Sequence, residues 1–119
     1  MKRKAVVLTL DERTSYRRLE DVVGCKWSAA VLAAIARGVT RPGRIERFIP
    51  GISTKVLSER FRRLLEFGLI TRETIPGRIQ HVEYSLTATG RRLAGIIEQI
   101  RDLDEEHARR GPAPDGAAG

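Results

Sequence analysis

Residues 52–86 read ISTKVLSERFRRLLEFGLITRETIPGRIQHVEYSL, and the change of period inside this stretch decides the fold. Ser53 or Thr54 offers a hydroxyl to cap a helix. Leu57, Phe61, Leu64 and Leu65 then follow at i, i+4, i+7 and i+8, one apolar stripe on a helix reaching about Phe67. Lys55, Glu59, Arg62, Arg63 and Glu66 fall on the opposite side. Gly68 supplies the stop. Beyond it the period drops to two: Ile70, Arg72 and Thr74 alternate with Thr71, Glu73 and Ile75. Pro76-Gly77 turns the chain, and Val82, Tyr84 and Leu86 share one face of a returning strand. A basic amphipathic helix followed by a hairpin with Arg78 near its tip is expected.

Upstream, residues 40–51 (TRPGRIERFIPG) put Thr40 or Arg41 ahead of a helix-compatible Pro42 and break at Pro50-Gly51. That short helix and the one from Ser53 make a helix-turn-helix. Trp27 opens an earlier helix with Val31, Leu32 and Ile35 inside and Gly38 as its stop. Another begins at Ser15, with Tyr16, Leu19, Val22 and Val23 at helical spacing. Lys4 to Leu10 reads as a short β-type segment or an extended arm. Downstream, Thr87 or Thr89 caps a last helix whose Leu93, Ile96, Ile97, Ile100 and Leu103 form a stripe in need of a partner. From about Ala108 the chain turns to Gly, Pro, Ala and Asp, too poor in apolar surface to order itself. The expected organisation is an arm or short strand over 1–13, one domain over 14–107 and a disordered tail over 108–119. The expected fold class is mainly α with a small β-hairpin wing (α+β), a winged helix-turn-helix.

The charge follows the same map. The 119 residues carry a formal +7, but residues 37–92 hold 12 Arg or Lys against five Glu, whereas residues 101–119 hold three Arg against five acids. A surplus confined to the helix-turn-helix and hairpin points to a polyanion partner, since each phosphate neutralised releases condensed counterions. Double-stranded DNA is the expected partner. On the capped helix, Ser53, Thr54, Lys55, Ser58, Glu59 and Arg62 combine short hydroxyls near the N-terminus with long donors, and Glu59 can accept from a cytosine amine. Arg41, Arg44 and Arg47 would meet the sugar-phosphate backbone, and on the hairpin Arg78 suits phosphate or the minor groove, with His81 a second candidate.

Other chemistry finds little footing. Two histidines, one cysteine and no asparagine build neither a Cys-His catalytic pair nor a histidine-rich metal cluster, and no strand-to-helix phosphate loop is present. No enzyme activity, cofactor or metal is expected. Cys25, the only cysteine, excludes an intramolecular disulfide. The longest apolar block, Ala29 to Ala36, is too short to cross a bilayer, and the apolar stretch after Met1-Lys-Arg-Lys is too short for a secretory leader, so a cytoplasmic protein without membrane contact is expected.

Taken in order, Gly24-Cys-Lys-Trp27, Ile49-Pro-Gly-Ile-Ser53, Lys55-Val-Leu-Ser-Glu-Arg60 with Leu64, Gly68-Leu-Ile-Thr-Arg72, and Val82-Glu-Tyr-Ser-Leu-Thr87 with Gly90 resemble the HxlR-type winged-helix transcriptional regulators. The resemblance spans roughly Leu19 to Ile100. It implies a homodimer whose terminal helices pack together, the Ser53 to Phe67 helix in the major groove and the Thr74 to His81 wing on phosphate or minor groove. It also implies a regulator, more often a repressor, of an inverted-repeat operator. The chain departs from the pattern at three places. Cys25 stands where glycine is common and the family's frequent reactive cysteine falls near Thr14; the wing tip Pro76-Gly-Arg-Ile-Gln-His lacks the usual run of prolines; and Pro42 and Gly43 replace an aromatic and a polar residue, which implies a late start for the helix there. Two other readings remain open at this level. One is a winged protein-interaction module docking through its last helix; the other is a regulator that responds to oxidants at Cys25 or to an unidentified small-molecule effector between the core and the terminal helices.

Overall fold

The computed structural model describes residues 7–24 and 26–111. Five helices and one hairpin follow in the order α1 (Leu10–Val23), α2 (Ser28–Ala36), α3 (Pro42–Phe48), α4 (Thr54–Glu66), β1 (Ile70–Ile75), β2 (His81–Leu86) and α5 (Ala88–Arg110). The mainly α fold with a small antiparallel wing agrees with the sequence reading.

The core forms around α2. Its sequence SAAVLAAIA has no charged side, so it can only be stable with apolar surface all around, and Val31, Leu32, Ala34 and Ile35 are buried. Ile45, Ile49 and Ile52 reach it from α3 and the following turn, Leu57, Phe61 and Leu64 from α4, and Leu69, Ile70 and Tyr84 from the hairpin. Phe61 and Tyr84 stack with ring centroids 3.9 Å apart and planes 11° from parallel, which fastens the helix-turn-helix to the wing. The hairpin register runs from Ile70 opposite Leu86 to Ile75 opposite His81. Trp27, just ahead of α2, adopts φ 80°, a left-handed conformation rare for a bulky residue, with its indole packed at Gly51.

Local chemistry explains the helix ends. Ser53 Oγ accepts from the Val56 N–H at 3.1 Å and starts α4, as the sequence suggests. Gly68, at φ 71°, closes α4 so that the Leu69 N–H reaches back to the Leu64 carbonyl. Thr87 caps α5 by accepting from the Gly90 N–H and donating its own hydroxyl to the Gly68 carbonyl. Gly90 is buried against the Leu69 carbonyl, a contact close enough to leave no space for a side chain.

Four expectations need correction. The helix that the resemblance would start late, because of Pro42 and Gly43, begins at Pro42 itself, whose fixed φ suits the first helical turn. The first helix starts at Leu10 rather than after Ser15, so the arm expected over 1–13 is helical from Leu10 onward. Thr9 and Glu12 form a reciprocal capping box, each side chain taking the other's backbone N–H, which outcompetes the Ser15 hydroxyl as a start signal. The last helix runs past Ala108 to Arg110. Ion pairs from Arg101 to Glu98 and Glu105 support its exposed length, and His107, Arg109 and Arg110 complement the dipole of its last turn. Arg63 does not face away: it is half-buried, its guanidinium lying 6.0 Å from the Phe67 ring centre, because its aliphatic stem covers the apolar flank of α4. The β-type segment over Lys4 to Leu10 falls mostly outside the described residues, and its described end, Val7 to Thr9, forms no strand.

Candidate nucleic-acid interface

With Leu57, Phe61 and Leu64 turned into the core, geometry leaves Lys55, Ser58, Glu59 and Arg62 exposed together on the outer side of α4. Arg62 donates to Glu66 one turn on at 3.0 Å, but both side chains are more than half exposed. Such a pair is worth only a few tenths of a kcal/mol and is easily exchanged for a phosphate or a base edge. Thr54 also braces the helix start. Its hydroxyl donates to Glu46 Oε1 at 2.8 Å, pinning the start of α4 to α3. Glu46 carried no local signal for this role, since the contact spans the Pro50-Gly51 break.

Arg41, Arg44 and Arg47 are exposed along α3. Together with His81 and Val82 they line an open cleft of about 480 Å³ between α3 and the returning wing strand. The structure thus gathers Arg41, Arg44 and His81, which the sequence offered separately. Arg78 stands apart from that cleft at the exposed wing tip.

The base of the wing is latched to the helix-turn-helix. The Tyr84 N–H donates to the Thr40 carbonyl at 2.9 Å, and the Thr40 hydroxyl donates to Glu83 Oε1 at 3.0 Å. Glu83 Oε2 lies 2.9 Å from His81 Nε2. The hydrogen bond with His81, then that from Thr40, and the positive charge of His81 and Arg41 hold the Glu83 carboxyl below its ordinary value, against a smaller opposing effect of burial. The Glu83 carboxylate beside His81 would compete with a phosphate for the same ring nitrogen. Thr40 and Glu83, 43 residues apart, meet in a contact that no local pattern in the sequence could reveal.

Of the stripe expected to pair two subunits, Leu93 and Ile97 pack against the chain's own core, while Ile96, Ile100 and Leu103 stay 49%, 55% and 65% exposed. An open cavity of about 540 Å³ lies between α2, β2 and α5, walled by Ala33, Ala36, Ala94 and Gly95 with Arg37 and Arg91 at its edge. Cys25 lies outside the described residues. Among the described residues no three His, Cys, Asp or Glu side chains stand together as a metal site, and no helix is long and apolar enough to cross a membrane.

A helix pair with an antiparallel ribbon folded beside it, basic on its outer side, defines a winged helix-turn-helix protein. Comparison with known proteins narrows this. The model of the HxlR-like helix-turn-helix family matches residues 22–112, and the chain belongs to that family. An HTH-type transcriptional regulator of Synechocystis sp. is 37% identical over 86 residues, covering 72% of this chain and 64% of the relative, so the chain spans a little under two thirds of that relative's length. The HTH-type transcriptional regulator YvaP of Bacillus subtilis is 34% identical over 85 residues, covering 71% of this chain and 79% of YvaP. Among solved structures, a MarR-family transcriptional regulator from Porphyromonas gingivalis W83 superposes with a TM-score of 0.72 at 32% identity, over 85% of this chain and 99% of its own. The resemblance read from the sequence is therefore correct at the level of family and fold.

Proposed function

We propose that this chain is a sequence-specific DNA-binding transcriptional regulator, a repressor that acts by occluding its operator. It binds an inverted repeat as a homodimer formed through α5, which sets the two α4 helices one helical turn apart, ~34–36 Å. Lys55, Ser58, Glu59 and Arg62 read bases in the major groove, Ser53 and Thr54 place the helix start near phosphate, Arg41, Arg44 and His81 engage the backbone, and Arg78 on the wing takes phosphate or minor groove. The observation that carries this reading is the outer side of α4: four polar side chains free of the core, on a helix whose other side is buried, beside a cleft lined by three arginines. A cytoplasmic protein needing no cofactor fits this role. A small-molecule effector that loosens DNA binding would act from the cavity between α2, β2 and α5, where the core meets the proposed dimer helix.

The test is fluorescence anisotropy with a duplex recovered by selection from random sequence, titrated across a salt series. Affinity should fall steeply as salt rises, with a log–log slope of about −0.9 per phosphate neutralised. Arg41→Ala and Arg44→Ala should each weaken all duplexes alike and lower the slope by about one, while Lys55→Ala or Arg62→Ala should also relax sequence preference. A flat salt response, or a selected pool without a consensus, would refute the proposal.

A further inference from the structure

The wing tip carries a group that phosphate contact does not call for. Ile79 is 82% exposed, the most exposed of the large hydrophobic side chains among the described residues, and it stands next to Arg78 in the five-residue loop Pro76 to Gln80. A branched apolar side chain gains nothing from a phosphate oxygen, for which serine, glycine or lysine would serve. Nor does Ile79 belong to the apolar strip of α5, whose exposed members are Ile96, Ile100 and Leu103. The loop that presents it is anchored: Ile75 and His81 pair at its base, Pro76 restricts the backbone as the strand ends, and the Thr40 latch ties β2 to the helix-turn-helix.

We propose that the wing tip is a minor-groove wedge, with Arg78 lying in a narrow A·T-rich groove and Ile79 pressing between base pairs of a flexible pyrimidine–purine step beside the α4 site. The two side chains divide the work by chemistry. The guanidinium is drawn by the enhanced negative potential of a narrow minor groove, whereas the isoleucine gains only from apolar base surface exposed as a step partly unstacks. Such insertion bends the duplex toward the major groove, by roughly 20–90° in proteins that use apolar wedges. Specificity then extends to a step outside the base pairs read by α4, through its ease of deformation. This inference rests on the DNA-binding reading above.

The experiment uses the full chain and the selected duplex in two forms, one with a TA step under the wing and one with GC there. Affinity is read by anisotropy and bending by end-to-end energy transfer. For the wild type, the TA duplex should bind more tightly and bend. Ile79→Ala, which removes an exposed side chain and should leave the melting temperature unchanged, should bind the TA duplex roughly 15- to 60-fold more weakly, as expected for losing the burial of two or three methyl-sized groups. It should keep the salt slope, lose the preference for TA over GC and lose most of the bend. Arg78→Ala should instead lower the salt slope by about one. Wild-type affinity, bending or step preference retained by Ile79→Ala overturns the wedge while leaving DNA binding intact. A wild-type chain that binds no duplex overturns the DNA-binding reading, and the wedge with it.

Discussion

Replacing Gly90 with alanine should unseat α5, and the paired replacement of Gly95 shows why. A Cβ at position 90 would stand 1.9 Å from the Leu69 oxygen and 2.9 Å from its carbonyl carbon. Those atoms cannot swing aside. The Leu69 carbonyl accepts from the Thr87 N–H at 3.0 Å, its N–H is bonded to Leu64, and the next residue, Ile70, is paired in the hairpin. Reaching ordinary contact at 3.4 Å requires the first turn of α5 to retreat by roughly 1.5 Å. Overpacking of this kind costs about 1–3 kcal/mol. Loosening the two Thr87 bonds, to Leu69 and to Gly68, adds about 1 kcal/mol each, while alanine returns about 1 kcal/mol of helix propensity. The net loss is about 2–4 kcal/mol, or a fall in Tm of roughly 8–16 °C at about 4 °C per kcal/mol for a domain of this size. Nothing lies within 4 Å of a Cβ at Gly95, so Gly95→Ala on the same helix should raise Tm by roughly 2–4 °C through propensity alone. Both are read by circular dichroism melts at one protein concentration, because dimer formation would make Tm depend on it. A Gly90→Ala protein that melts with or above Gly95→Ala refutes the close approach between α5 and Leu69.

Other tests address the elements that hold the interface in place. Ser53→Ala removes the cap of α4 and should cost about 1 kcal/mol in chemical denaturation, with Ser53→Asp recovering most of it. Phe61→Ala deletes the ring stacked on Tyr84 and should cost about 3–5 kcal/mol, measured the same way. Glu83 supplies the pH dependence. Its folded carboxyl titrates below its ordinary value of 4.5, so the stability it contributes is fully present above that value and is lost as pH falls through the lowered one. Melting temperature followed from about pH 6 to pH 3 should therefore decline less steeply in Glu83→Gln than in the wild type, and equal slopes would remove Glu83 from the latch.

Where a feature depends on neighbours in the chain, the residues alone disclosed it. Ser53 before an apolar stripe, Pro42 at the first turn of α3, Gly68 at the end of α4 and the alternation through β1 and β2 act within a few residues, and each appears where the pattern puts it. Ser15 is one hydroxyl, and a pair outweighs it as a start signal for the first helix. Thr9 and Glu12 satisfy two backbone donors at once, and their spacing was open to reading. The tail was judged by its Gly, Pro and Ala content, but helix ends depend also on the dipole and on i, i+4 ion pairs, which carry α5 to Arg110. Helical angle alone puts Arg63 on the outer side, but a long stem at the edge of an apolar face is free to lie over it.

The candidate interface divides along the same line. Which side of α4 faces outward follows from its period, so Lys55, Ser58, Glu59 and Arg62 were visible in advance. What those side chains touch was not, because Arg62 had two acids within reach and only the fold selects Glu66. Least visible was the relation between the two elements proposed to meet DNA. The backbone bond from Tyr84 to Thr40 and the side-chain bond from Thr40 to Glu83 join the base of the wing to the residue just before the α3 cap. Glu46 in turn joins α3 to the first residue of α4. The wing, α3 and α4 thus form one hydrogen-bonded frame, which fixes the angle between α4 and the base of the wing. Preorganisation of this kind spares the entropy of ordering a loose hairpin on binding. It also makes Thr40 a positioning residue: Thr40→Val should weaken DNA binding with no change in the number of phosphates contacted, whereas loss of an arginine should change both.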